Sequence, residues 1–133
     1  MDSTEFAAAR KRLNKTQQEM ARLLGSSIKA VHSYEQGWRN IPPHAERQIL
    51  FLLVHAGGAG RLLAPCWEIL GCPEERKSRC PAWEFRVGAL CWFINGTICG
   101  GEARKSWEEK MRMCRSCRVL EPYLPRVDSI GGI

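Results

Sequence analysis

The sequence predicts an all-α N-terminal helix-turn-helix bundle followed by a small, irregular, cysteine-rich C-terminal domain. Three observations carry this. Residues 1–58 hold helix start and stop signals at short intervals, around apolar residues at helical spacing. All seven cysteines lie between Cys66 and Cys117, and residues 1–65 contain none. Between these regions runs Ala56-Gly57-Gly58-Ala59-Gly60, a small-residue stretch with the composition of a linker. The expected organisation is a bundle at 1–58, a linker at 59–65, a cysteine-rich domain at 66–120 and a loose tail at 121–133.

Phe6, Ala9 and Leu13 give a first helix its apolar side. Thr16 followed by Glu19 has the spacing of a capping box, so a second helix starts there. Met20, Ala21 and Leu24 share one face of that helix, and Gly25 suits the left-handed conformation that ends it. Ser26 or Ser27 caps a third helix, with Val31 and Tyr34 inward and Gly37 as terminator. Pro42 and Pro43 open a fourth, whose stripe is Ile49, Leu52 and Leu53.

Two short helices joined by a tight glycine-containing turn are the physical signature of a helix-turn-helix, whose second helix enters the major groove of double-stranded DNA. On the helical wheel the outward face of that second helix carries Ser27, Ile28, Lys29, His32 and Ser33. Lys29 has the chemistry to donate to guanine O6/N7 or to phosphate, and Ile28 to pack on a thymine methyl. The plain alternative is a helical bundle with an ordinary solvated face, Tyr34 then serving only the core. His44 and His55 read as surface residues.

The run Thr16-Gln17-Gln18-Glu19-Met20-Ala21-Arg22-Leu23-Leu24-Gly25, followed by Val31-x2-Tyr34-Glu35-x-Gly37-x4-Pro42, resembles the lambda/434 repressor and Cro (XRE-type) family across about residues 6–55. The resemblance implies a compact bundle of four or five helices. It implies a phosphate contact from Gln17 and base readout by Ser27, Ile28, Lys29 and Ser33, with Trp38 and Arg39 near the DNA backbone. It also implies a homodimer and a pairing of Arg10 with Glu35. The chain departs from the family in placing Ile28 and Lys29 where Gln, Asn or Arg often stands.

Lys and Arg total 20 against 14 Asp and Glu, a net charge of +6. This suits a polyanionic partner without locating it. Residues 1–60 hold eight basic against five acidic side chains, and residues 61–133 twelve against nine. The N-terminus lacks the apolar core of a secretory signal, and the longest apolar run, Ile49 to Val54, is too short to span a bilayer. A cytoplasmic protein with reduced thiols is expected.

An odd cysteine count in a reducing compartment argues against a full disulfide framework and for metal ligation or redox chemistry. All seven, Cys66, Cys72, Cys80, Cys91, Cys99, Cys114 and Cys117, are candidate metal ligands. Only Cys114-x2-Cys117 has the two-residue gap usual in zinc and iron–sulfur sites. Arg76, Lys77 and Arg79 before Cys80, and Arg112, Arg115 and Arg118 around the last pair, favour thiolate over thiol. Trp67, Trp83, Trp92 and Trp107 either shield a metal centre or simply form a small core. An iron–sulfur cluster, zinc, and metal-free thiols or disulfides all stay open, as does the choice of four ligands.

Cys66-Trp67-x3-Gly71-Cys72 and Cys91-Trp92-x3-Gly96-x2-Cys99 form a weak internal echo. Together with Cys80-Pro81-Ala82, Gly100-Gly101 and the closing Cys114-x2-Cys117, they resemble the bacterial two-CW cysteine-rich domain over about residues 64–120. That domain is appended to signalling and regulatory proteins, which implies a sensory role.

The resulting expectation is a DNA-binding transcriptional regulator with a metal- or redox-sensing domain, not an enzyme, with no small-molecule substrate. The alternative is a protein-interaction adaptor with a structural zinc module. A thiol redox enzyme using Cys114 and Cys117 lacks the βαβ context of a thioredoxin-type motif.

Overall fold

A computed structural model describes residues 1–57, 65–101 and 103–125, and among these all regular structure is helical. The described residues divide into two compact units, one of residues 1–57 joined by 123–125, the other within 65–122. Apart from Pro65, the expected linker at 59–65 lies outside the described residues, as does the expected tail beyond 125.

In the first unit, α1 spans Ser3–Arg12 and is capped by the Asp2 carboxylate, which accepts from the Glu5 N–H at 2.8 Å. Helix α2, Gln17–Leu24, begins with a complete capping box. Thr16 Oγ1 accepts from the Glu19 N–H at 3.1 Å, and a Glu19 carboxylate oxygen accepts from the Thr16 N–H at 2.9 Å. Gly25 ends α2 in the left-handed conformation, φ +63°, with open space around it. Ser27 caps α3, Ile28–Gln36, through an Ala30 N–H bond of 3.0 Å, and Gly37 closes it at φ +76°. Helix α4 runs over Pro43–Gly57.

Helix α3 packs on α1 and α2, and α4 packs on the same two. The core is Phe6, Ala9, Met20, Ala21, Leu24, Val31, Tyr34, Ile49, Leu50, Leu53 and Val54. Each such large apolar side chain contributes roughly 1.5–3 kcal/mol of transfer free energy on burial. Phe6 and Tyr34 meet with ring centroids 5.5 Å apart. Two expected core positions differ: Leu13 and Leu52 are only half-buried, and Leu50 is fully buried instead. Because α4 faces two helices at once, its buried arc is wider than a single stripe and turns toward Leu50 and Val54.

The second unit contains α5 (Cys66–Ile69), α6 (Glu74–Lys77), α7 (Pro81–Glu84) and α8 (Trp107–Cys114), with 3₁₀ segments at Gly88–Phe93 and Cys99–Gly101. Prolines stand beside or inside the short helices: Pro65 and Pro73 at the caps of α5 and α6, and Pro81 in the first turn of α7. The hub is Gly88–Phe93, against which α5, α7 and α8 all pack. Trp92 within it is fully buried, and Ala82, Trp107, Met111, Val119 and Leu120 are buried with it. Gly88 is required there, because a Cβ would stand 2.5 Å from Pro65 Cβ and 2.7 Å from Trp67 Cζ3. The sequence echo has a backbone counterpart: Gly71 and Gly96, each five residues after a Cys-Trp cysteine, both adopt positive φ.

Candidate functional site: a helix face and a thiol-lined cavity

In the first unit the geometry starts from α3. Ala30, Val31 and Tyr34 bury one side of it, so the other side is left to solvent. That side carries Ser27, Ile28, Lys29 and His32, all exposed, and Ser33, half-exposed. Ile28 is 52 % exposed at the first position of the helix. Just past the helix end, Trp38 is 71 % exposed, and its indole meets the His32 ring edge-on at 5.5 Å. Arg39, also exposed, lies with its guanidinium 5.6 Å from the Tyr34 ring centroid. These seven side chains thus gather at α3 and the turn that follows it.

Gln17 stands at the first position of α2, half-buried, and its amide donates to Glu35 Oε1 at 3.3 Å. Glu35 is also held by Arg10, whose Nη2 donates to Oε1 at 3.0 Å and whose Nε donates to Oε2. The third donor nitrogen of Arg10, Nη1, reaches the Lys15 carbonyl at 2.9 Å. This two-pronged guanidinium–carboxylate pair ties α1 to the end of α3 and fixes the angle at which α3 presents its face.

In the second unit four cysteines converge on one cavity of about 140 Å³. Cys66, Cys72, Cys80 and Cys99 line it together with Trp67, Leu70, Arg76, Lys77, Ala82, Trp83 and Ile98. Helix α5 supplies Cys66, the turn after it Cys72, the residue before α7 Cys80, and a 3₁₀ turn Cys99. Trp67 and Trp83 meet edge-to-face at 5.0 Å. Lys77 Nζ lies 4.2 Å from the Trp83 ring centroid, and the Arg86 guanidinium 4.0 Å.

The thiols also act on one another electrostatically. Cys72 feels both Cys66 and Cys80, and Cys99 feels the same two. Burial raises Cys72 and Cys99 above the ordinary thiol range, with nearby cations opposing: Arg76 and Lys77 for Cys72, Lys110 for Cys99. Cys66 is brought down to about 7, chiefly because the Cys91 thiol donates a hydrogen bond to it, and the donor Cys91 is pushed up correspondingly.

Behind these thiols stands Lys110, only 2 % exposed, whose Nζ donates to the buried Thr97 Oγ1 at 2.6 Å. A buried ammonium is costly unless matched by acceptors or negative charge. Cys66, Cys99 and Cys114 all feel its field, and Cys114, which burial raises to about 11, is also held back by a hydrogen bond with it. The sequence reading missed Lys110 and Thr97. Lys110 lies on α8 in a run of charged residues, and nothing in that run distinguishes it from its solvated neighbours.

Of the cationic residues singled out by sequence, Arg76 and Lys77 line the cavity. Arg79 instead donates to the Glu75 carbonyl, Arg118 to the Ile69 carbonyl, and Arg112 is exposed. Cys91, Cys114 and Cys117 do not line the cavity, although Cys91 feels Cys66 and Cys99, and Cys114 feels Cys99. Among the described residues no three His, Cys, Asp or Glu side chains close in as ligands of one metal ion. Nor is any helix among them long and apolar enough to cross a membrane. The buried Trp92 Nε1 has no hydrogen-bond partner among the described residues. No protein-family model, curated protein or solved structure matches this chain.

Proposed function

We propose that this chain is a sequence-specific DNA-binding transcriptional regulator, acting as a homodimer in the cytoplasm, whose cysteine-rich unit senses a metal or redox signal. The observation that carries the proposal is the face of α3. A short helix, capped by Ser27 and reached through a tight Gly25 turn, buries one side and leaves Ser27, Ile28, Lys29 and His32 exposed on the other. Side chains of this kind at the start of a helix match the edge chemistry of the major groove, and the exposed Trp38 and Arg39 have N–H donors suited to phosphates beyond it. Four thiols around one cavity support the sensing half.

The exposed Ile28 and Trp38 also suit a protein surface, and this favours the adaptor as the second reading. Salt separates the two, because each phosphate contact releases counterions. DNA selected from a random pool should bind with an affinity that falls steeply with salt in a gel shift. Lys29→Ala should weaken the selected site by about 1–3 kcal/mol, roughly 5- to 150-fold, and relax its specificity. Arg39→Ala should weaken all sequences alike and reduce the salt slope by about 1. If neither substitution alters DNA binding, the assigned face is wrong, and a flat salt dependence of complex formation points to the adaptor.

A further inference from the structure

We propose that Cys66, Cys72, Cys80 and Cys99 are the four ligands of a cubane iron–sulfur cluster seated in the cavity beneath Trp67 and Trp83. The inference rests on the metal-sensing reading of the second unit and is independent of the DNA face.

Three features choose this ligand. The first is number. A cubane takes four cysteine thiolates, and exactly this set of side chains shares one cavity wall while the other three cysteines do not. The second is size. The four cysteines line a common space of about 140 Å³, and no three of them are gathered as ligands of a single ion. A zinc site draws its sulfurs to about 2.3 Å from one point. The cavity is far larger than the roughly 10–15 Å³ that one water centre requires, which suits a multi-atom inorganic core rather than one cation.

The third is charge and shelter. Four thiolates around a cluster core leave a net negative group, and Arg76 and Lys77 stand in the wall to offset it. Two tryptophans, Leu70, Ala82 and Ile98 supply the apolar remainder that limits water. The ligands come from four separate local structures, so their spacing of five, seven and eighteen intervening residues matches no compact cluster motif. The Cys114-x2-Cys117 pair, which has the familiar spacing, is left for other work.

The test is anoxic reconstitution of the full chain with ferric iron, sulfide and dithiothreitol, followed by visible absorption and iron and acid-labile sulfide analysis. The native chain and Cys117→Ser should each hold about four iron and four sulfide. Cys72→Ser and Cys99→Ser, at half-buried positions, should lose at least half of that while keeping the native far-ultraviolet circular dichroism.

A helical native chain that takes up no iron and sulfide overturns the proposal. So does a cluster that survives in both cavity variants, or one lost equally in Cys117→Ser. Uptake of a single zinc in place of the cluster overturns it as well. Failure of the sensing role reads differently. A cluster held by these four cysteines with DNA affinity equal in its presence and absence leaves the site standing and removes the sensor. No cluster, but DNA binding that responds to thiol oxidation, does the reverse.

Discussion

The two units solve the problem of a small core in different ways. In the first, long amphipathic elements do the work: α4 alone has 15 residues, and the interior is apolar side chains repeated at helical spacing. In the second, α5, α6 and α7 have four residues each, too short to be stable alone. Its interior mixes Trp92 and Leu120 with four buried cysteines, a buried lysine and a buried threonine. A unit of this size with so little regular structure ordinarily needs a staple. What the difference teaches is that apolar periodicity suffices for the first unit, whereas the second depends on chemistry placed at the few positions where its loops meet.

The comparison breaks most readily at the first core. Phe6→Ala should cost about 3–5 kcal/mol, because the ring is fully buried against Tyr34 and the surrounding helices cannot collapse into its space. Urea unfolding followed by circular dichroism measures the cost. Thiol accessibility of Cys72 in native buffer should stay unchanged, and a large rise would show that the second unit leans on the first core.

A smaller effect is expected from Gly88→Ala, about 1–3 kcal/mol, since the new methyl collides with Pro65 and Trp67 at the hub. Displacing Trp67 should also disturb the cavity wall and change the tryptophan fluorescence. Native stability and an unchanged emission spectrum would mean that the hub yields more easily than its geometry implies.

The smallest effect is a pH dependence confined to the second unit of the reduced, metal-free chain. Cys66 sits at about 7 against an ordinary 9.0, so the folded chain favours its thiolate. Stability from this group is therefore present in full above about pH 9 and is lost as pH falls through 7. Cys114 has the opposite sign: raised to about 11, it contributes below pH 9 and loses that contribution as pH rises through 11. Thiolate ultraviolet absorbance should show a step near pH 7 that moves upward in Cys91→Ala, where the donor to Cys66 is gone. A step unmoved by that substitution would assign the low value to another cause.

Much of the first unit was legible in the sequence because its signals are local. Thr16 with Glu19, Gly25, Ser27 and Gly37 act within one helical turn, and each does in the structure what its spacing announces. The exposed positions of α3 follow from the same wheel that buries Val31 and Tyr34. The wheel misjudged Leu50 and Leu52, because it treats a helix as having one neighbour while α4 has two.

In the second unit the sequence could show that seven cysteines, four tryptophans and several cations share a short span, but not which of them meet. Spacing favoured Cys114 and Cys117, whereas the cavity gathers Cys66, Cys72, Cys80 and Cys99. Lys110 looked like any lysine on a charged helix and turned out to be enclosed among thiols.

The sequence by itself determined the helices of residues 1–57, the outward face of α3 and the crowding of cysteines beyond residue 65, since all three depend on near neighbours along the chain. Only the tertiary structure decided the grouping of four thiols, the burial of Lys110 and the hydrogen bond between the two Cys-Trp cysteines. Those depend on where separate turns close on one another, and that is set by the packing around Gly88–Phe93 rather than by any local pattern.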